Sequence, residues 1–140
     1  MIEFILDTDT LTLFQEGHPA VCAHFLQQSP GTVAITVLSV EEQLSGWYTQ
    51  IRQAKRLDRL AWAYRRLSES IRFLARLEIL TYDEKGMQRF EQFRKQKIKI
   101  GRTDLRIAAT VLEHGATLVT ENARDFKQVP GLKMVRWSGR

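Results

Sequence analysis

Apolar and polar positions change period several times along this chain, and the first change is the sharpest. Ile2, Phe4 and Leu6 alternate with Ile5 between them, and the run ends on Asp7-Thr8-Asp9-Thr10. So short an apolar run predicts a buried strand, and a buried parallel strand carries whatever follows it to the carboxyl edge of a sheet. Helical spacing then holds from Pro19 to Gln28, with Val21, Phe25 and Leu26 on one side and Pro30-Gly31 as the stop. Thr32 to Val37 predicts a second strand. Ser39 opens a predicted helix towards Gln53. A longer helix spans about Lys55 to Leu77, where Leu57, Leu60, Tyr64, Leu67, Ile71 and Leu74 recur at gaps of three and four. Ile79-Leu80 predicts a short strand, and Asp83 to Lys95 a helix that buries Met87, Phe90 and Phe93. Another helix, Thr103 to His114, is ended by Gly115, and strands follow at Thr117 to Val119 and Leu132 to Val135.

Strands separated by helices argue for an α/β/α sandwich around a central, mainly parallel sheet of about five strands, with right-handed crossovers. There is no repeat, low-complexity tract or Pro/Gly/Ser-rich linker, so residues 1–140 are expected to form one domain. The one cysteine, Cys22, sits among Ala20, Val21, Ala23 and Phe25 as a small core residue would, which suits a reducing cytoplasm. Neither a signal peptide nor an apolar run long enough to span a membrane is apparent.

This layout collects acids at one edge. Asp7 ends the first strand, Glu42 lies early in the helix after the second, Asp104 starts the helix ahead of the fourth, and Asn122 and Asp125 follow the fourth directly. Carboxylates about 4 to 6 Å apart repel by about 3 to 4 kcal/mol per pair at an effective dielectric near 20. Such a cluster calls for raised pKa values or a bound cation. Oxygen donors without histidine or cysteine suit Mg²⁺, with Mn²⁺ as a substitute, rather than zinc. Each acid also has a local reading. Ser39-Val40-Glu41-Glu42 fits a capping box. Asp104 suits a helix start on dipole grounds, and Asp7, Asp9 and Asp125 suit turns or caps. Recurrence at one edge gives the set its weight.

Charge sharpens the picture. Lys and Arg total 21 against 16 Asp and Glu, a net +5, which favours a polyanionic partner such as nucleic acid. Eight of the cations fall between Arg52 and Arg76, where a solvated helix face explains most of them. Six fall between Arg94 and Arg106, running into Asp104, where Lys97, Lys99 and Arg102 can grip phosphates. Thr8 and Thr120 stand where a hydroxyl can orient a ligand carboxylate or phosphate. Trp47 and Trp62 fall on predicted helices, where aromatic rings are more often packed than offered to bases.

Four segments resemble the successive motifs of PIN-domain ribonucleases: Phe4-Ile5-Leu6-Asp7-Thr8-Asp9, Ser39-Val40-Glu41-Glu42-Gln43-Leu44-Ser45-Gly46, Thr103-Asp104-Leu105-Arg106-Ile107-Ala108-Ala109 and Leu118-Val119-Thr120-Glu121-Asn122-Ala123-Arg124-Asp125-Phe126. The likeness is strongest to VapC toxins of bacterial type II toxin-antitoxin systems and covers nearly the whole chain. It implies a PIN-like fold and a Mg²⁺-dependent endoribonuclease whose catalytic and metal-holding acids are Asp7, Glu42 and Asp104. It also implies a cognate antitoxin and a homodimer. The position of a fourth acid holds Asn122, with Asp125 able to stand in if a helical turn starts there.

Two rival readings remain at this level. Asp7-Thr8-Asp9 after an apolar strand approximates the start of a haloacid-dehalogenase-like phosphomonoesterase using Asp7 as nucleophile, although Leu11 departs from that motif. A non-catalytic basic RNA-binding or partner-binding module is the other, with Asn122 as its one positive sign.

Overall fold

Hydrophobic strands of only three or four residues build the centre of the fold. A computed structural model describes residues 1–139. Among these, the chain order is β1 (Phe4–Leu6), α1 (Thr8–Gln15), α2 (Pro19–Gln27), β2 (Val33–Thr36), α3 (Val37–Gln53), α4 (Leu57–Leu74) and β3 (Glu78–Leu80). It continues through α5 (Glu84–Lys95), α6 (Arg102–Glu113), β4 (Thr117–Val119), α7 (Ala123–Phe126) and β5 (Lys133–Val135). The strands form one sheet in the order β3-β2-β1-β4-β5, parallel at every pairing. In β1, Ile5 faces Leu118 of β4 and Ala34 of β2 in register.

Alternation along β1 and β4 splits the core into two layers. Ile5 and Leu118 pack with Phe90, Phe93, Leu105, Ile107, Val111 and Phe126 from α5, α6 and α7. Leu6 and Val119 pack on the opposite face with Leu11, Val21, Leu74 and Trp137. The chain winds from β1 outward through β2 and β3, then returns to place β4 on the other flank of β1. That reversal of direction opens a crevice beyond the carboxyl ends of β1 and β4, the usual ligand position in open α/β sheets. The return is sharp because α6 ends in a Schellman turn. Gly115, at φ +61°, lets its N–H reach Leu112 O while Ala116 N–H reaches Val111 O.

Four details differ from the sequence expectation. Residues 8–15 form a helix, α1, that the apolar pattern did not announce, because only Leu11 of its apolar residues is fully buried. The helix after β2 begins at Val37, capped by Thr36 and not by Ser39: Thr36 Oγ1 accepts from Ser39 N–H at 3.3 Å. The heptad seam of α4 is divided, with Leu60, Leu67 and Leu74 turned inward and Leu57, Tyr64 and Ile71 exposed. Met87 is exposed where burial was expected, while Phe90 and Phe93 carry the contact.

Candidate active site

The carboxyl edge gathers the acids through hydrogen bonds that span most of the chain. Asp7 leaves β1 and caps α1, its Oδ1 accepting from Thr10 N–H at 2.9 Å. Its Oδ2 accepts from the Thr120 hydroxyl at 2.6 Å, across the β1–β4 reversal. The Asp7 N–H donates to Val119 O at 3.0 Å, and Thr10 Oγ1 donates to the same carbonyl at 3.0 Å. Asp7 is therefore a cap, as its local reading allowed, and also a buried acid at the crevice. Burial pushes its carboxyl above the usual range, outweighing the bonds from Thr120 and Thr10, and the Asp9 charge adds to the rise.

Asp104 is the third residue of α6, whose N-cap Gly101 offers no side-chain bond. Its carboxyl is pushed up to about 6, first by burial and then by the charges of Asp7, Glu42, Asp9 and Asp125. Five acids from four separate segments thus share one electrostatic neighbourhood. Glu42 reaches it from the second turn of α3 and is exposed. The capping box expected around Glu42 does not form, because Thr36 already caps the helix three residues ahead of Ser39. Local structure leaves Glu42 without a capping task.

Asn122 caps the short helix α7, and its Nδ2 donates to Asp125 Oδ2 at 2.9 Å. The helical turn that brings the two together is present, and they bond to each other. Asn122 N–H also donates to Thr120 Oγ1 at 2.9 Å, so one threonine ties Asp7 to the start of α7. Thr8 Oγ1 meets Ser39 Oγ at 2.9 Å, joining α1 to α3 beside Asp7. Lys97, Lys99 and Arg102 are exposed and enter no salt bridge among the described residues. The Lys99 backbone is pinned to the Gln128 amide by bonds of 3.1 and 3.3 Å, which fixes the basic segment beside α7.

Two contributors are not announced by the sequence pattern. Asp9 suits a turn or cap in the sequence, yet its charge raises both Asp7 and Asp104. Ser39 suits a helix cap in the sequence, yet its hydroxyl turns to Thr8. The missing signal was α1 itself, bounded by the Asp7 cap and by Gly17 at φ +78°.

The donor set is all oxygen and surplus in negative charge, which fits a hard divalent cation. Among the described residues, however, no three His, Cys, Asp or Glu side chains are gathered closely enough to hold one as they stand. Asp7 is buried, Asp104 and Asp125 are half-buried, and Glu42 and Asp9 are exposed.

The α3–α4 hairpin carries a different surface. Trp47 and Trp62 meet edge to face at 5.5 Å, the Arg59 guanidinium lies 3.9 Å over Trp62, and that of Arg66 lies 4.9 Å over Trp47. A cavity of about 590 Å³ lies between α1, α3 and α4, lined by Gln15, Gln43, Trp47, Arg66 and Phe73 among others.

A parallel sheet ordered 3-2-1-4-5, with acids from β1, α3, α6 and α7 at its carboxyl edge, defines the class: the chain belongs to the PIN domain family, whose model matches residues 4–132. That membership sets aside the phosphomonoesterase reading of Asp7. Among characterised proteins, the chain is 26% identical to ribonuclease VapC2 of Haemophilus influenzae over 98% of this chain and 99% of that protein. It is 25% identical to the tRNA(fMet)-specific endonuclease VapC of Shigella flexneri, over 99% of this chain and 100% of that one. Among solved structures, DNA-bound VapBC from Salmonella typhimurium matches at a TM-score of 0.79 with 26% identity, covering 98% of this chain and 99% of that chain. VapBC2 from Rickettsia felis, bound to a promoter DNA fragment, matches at 0.75 and 26%, with the same coverage.

Proposed function

We propose that this protein is a metal-dependent endoribonuclease, the toxin of a toxin-antitoxin pair, in which Asp7, Glu42 and Asp104 hold Mg²⁺, or Mn²⁺ in its place. The observation that carries the reading is the gathering of five acids from four segments around Asp104, whose carboxyl is pushed up to about 6 first by burial and then by the charges of Asp7, Glu42, Asp9 and Asp125. An ordinary surface helix start has no reason to assemble that much like charge. The relatives named as ribonucleases and the VapBC assemblies support the same conclusion.

Bound in this pocket, Mg²⁺ would neutralise charge on a phosphodiester and lower the pKa of an attacking water. The chain's own residues do the rest. Asp7 is held at both oxygens, so its orientation is fixed before any ligand arrives. Asp104 enters the same pocket from the first turn of α6, and general-base help comes from a carboxylate acting through water. Glu42 closes the pocket from α3. Asn122 replaces a carboxylate with an amide and removes one charge, which favours a single tightly held cation, with Asp125 as an auxiliary oxygen donor. Lys97, Lys99 and Arg102 bind flanking phosphates. The partners are RNA, a cognate antitoxin and a second copy in a homodimer, in the cytoplasm, with residues 1–140 acting as one domain. Among the described residues, no helix is long and apolar enough to cross a membrane.

The test is a Mg²⁺ titration of the purified chain against defined RNAs, with Asp7→Asn alongside. Cleavage leaving 5′-phosphate and 3′-hydroxyl ends, lost in Asp7→Asn, is the expected result. A 2′,3′-cyclic phosphate product would overturn this route.

A further inference from the structure

Thr8 and Ser39 meet hydroxyl to hydroxyl, and the proton count of that pair has a direction. Two hydroxyls carry two protons, and the bond between them uses one. Ser39 is fully buried, and among the described residues its Oγ has no other partner. A buried hydroxyl proton must find an acceptor, and Thr8 Oγ1, at 2.9 Å, is the one in reach. Ser39 therefore donates and Thr8 accepts, which leaves the Thr8 proton uncommitted. Thr8 is only half-buried, opens α1, and stands between Asp7 and Asp9 at the mouth of the crevice. The neighbouring threonine protons are already engaged, that of Thr120 on Asp7 Oδ2 and that of Thr10 on Val119 O.

A pocket made of carboxylates repels a phosphate, and a neutral donor at its rim is what an entering anion needs. Building on the ribonuclease reading above, we propose that Thr8 Oγ1 donates a hydrogen bond to a non-bridging phosphate oxygen of the RNA. Ser39 is its positioning residue, fixing the Thr8 rotor so that the proton faces the crevice.

The experiment is fluorescence anisotropy of a labelled RNA oligonucleotide titrated with the full chain. It is run in Ca²⁺, which accepts oxygen ligands, with RNA integrity checked on a gel and folding checked by thermal melting. Thr8→Val weakens binding about tenfold, as loss of a hydrogen bond to a charged group should. Thr8→Ser stays within about twofold of the parent, and Thr8→Ala repeats the loss should valine disturb α1. Ser39→Ala weakens binding on its own but adds nothing to Thr8→Val, a non-additivity that a purely structural serine would not give. Equal RNA binding by Thr8→Val and the parent, with parental cleavage of RNA in Mg²⁺ intact, overturns this inference alone. A parent that neither binds nor cleaves RNA overturns the ribonuclease reading and this inference with it.

Discussion

At the carboxyl edge, the bonds that matter join residues far apart in the chain: Thr120 reaches Asp7 across 113 positions, and Thr10 reaches Val119 across 109. In the α3–α4 hairpin the partners are near neighbours in sequence, Trp47 with Trp62 and Arg59 with Trp62. The edge is acidic, built on the buried Asp7, and dependent on sheet register. The hairpin is half-exposed, basic and aromatic, and held by packing between two consecutive helices. Long-range polar bonds fix where charges sit, and a shift of one residue in β4 would carry Thr120 away from Asp7. Local aromatic packing fixes how firmly an arm stands and leaves the charges untouched. Damage to the edge should therefore cost chemistry, and damage to the hairpin should cost stability.

The largest test of that contrast is Asp104→Asn. RNA cleavage should fall by about a thousandfold or more, since metal-assisted catalysis is worth several kcal/mol. Metal-free melting at pH 8 should stay level or rise, because a repelled carboxylate is removed. A clear drop in melting temperature would show that Asp104 supports the fold, and the two regions would no longer divide as described.

Next comes pH. In the folded state the carboxyl of Asp104, at about 6, and that of Asp7, also raised, lie above the ordinary aspartate range. The folded state thus binds these protons more tightly than the unfolded chain, and the metal-free protein should lose stability as pH rises from about 4 through 6. A cation reverses this by favouring the ionised forms. Mg²⁺ should raise the melting temperature clearly at pH 8 and hardly at pH 5, read by calorimetry with and without EDTA. An Mg²⁺ shift of equal size at both pH values would detach the metal from these acids.

Trp62→Ala probes the other region. It should lower stability by about 1 to 2 kcal/mol by denaturant titration, through lost aromatic packing, with cleavage by the isolated chain within about threefold. Loss of activity beyond the loss of folded protein would join the hairpin to the chemistry. The smallest effects should come from Lys99→Ala and Arg102→Ala. Each should weaken RNA binding a few-fold and lower the slope of log affinity against log salt by about one. An unchanged slope would move the phosphate grip elsewhere.

Much of the fold could be read in advance, and the particulars show why. Asp7 at the end of a buried strand, Asp104 beside a basic segment, and Asn122 and Asp125 after β4 were legible because strand and helix periods place them at one edge. Helix α1 was not, since its apolar face is narrow and Asp7 at its start suits a turn as well as a cap. The Glu42 capping box was a plausible local pattern defeated by a neighbour, because Thr36 claimed the cap first. The α4 seam misled for a related reason. Heptad spacing tells which residues share a face but not how much of that face finds a partner.

Sequence alone determined the order of the strands and of the helices other than α1 and α7, the residue types at their ends, and a basic chain carrying a dispersed set of acids, because these follow from backbone periodicity and side-chain chemistry. Tertiary structure alone decided that Asp9 joins Asp7 and Asp104, that Thr120 holds Asp7, and that Ser39 faces Thr8. Those pairings depend on the β1–β4 register and on how α3 settles against α1, distances that no local pattern encodes.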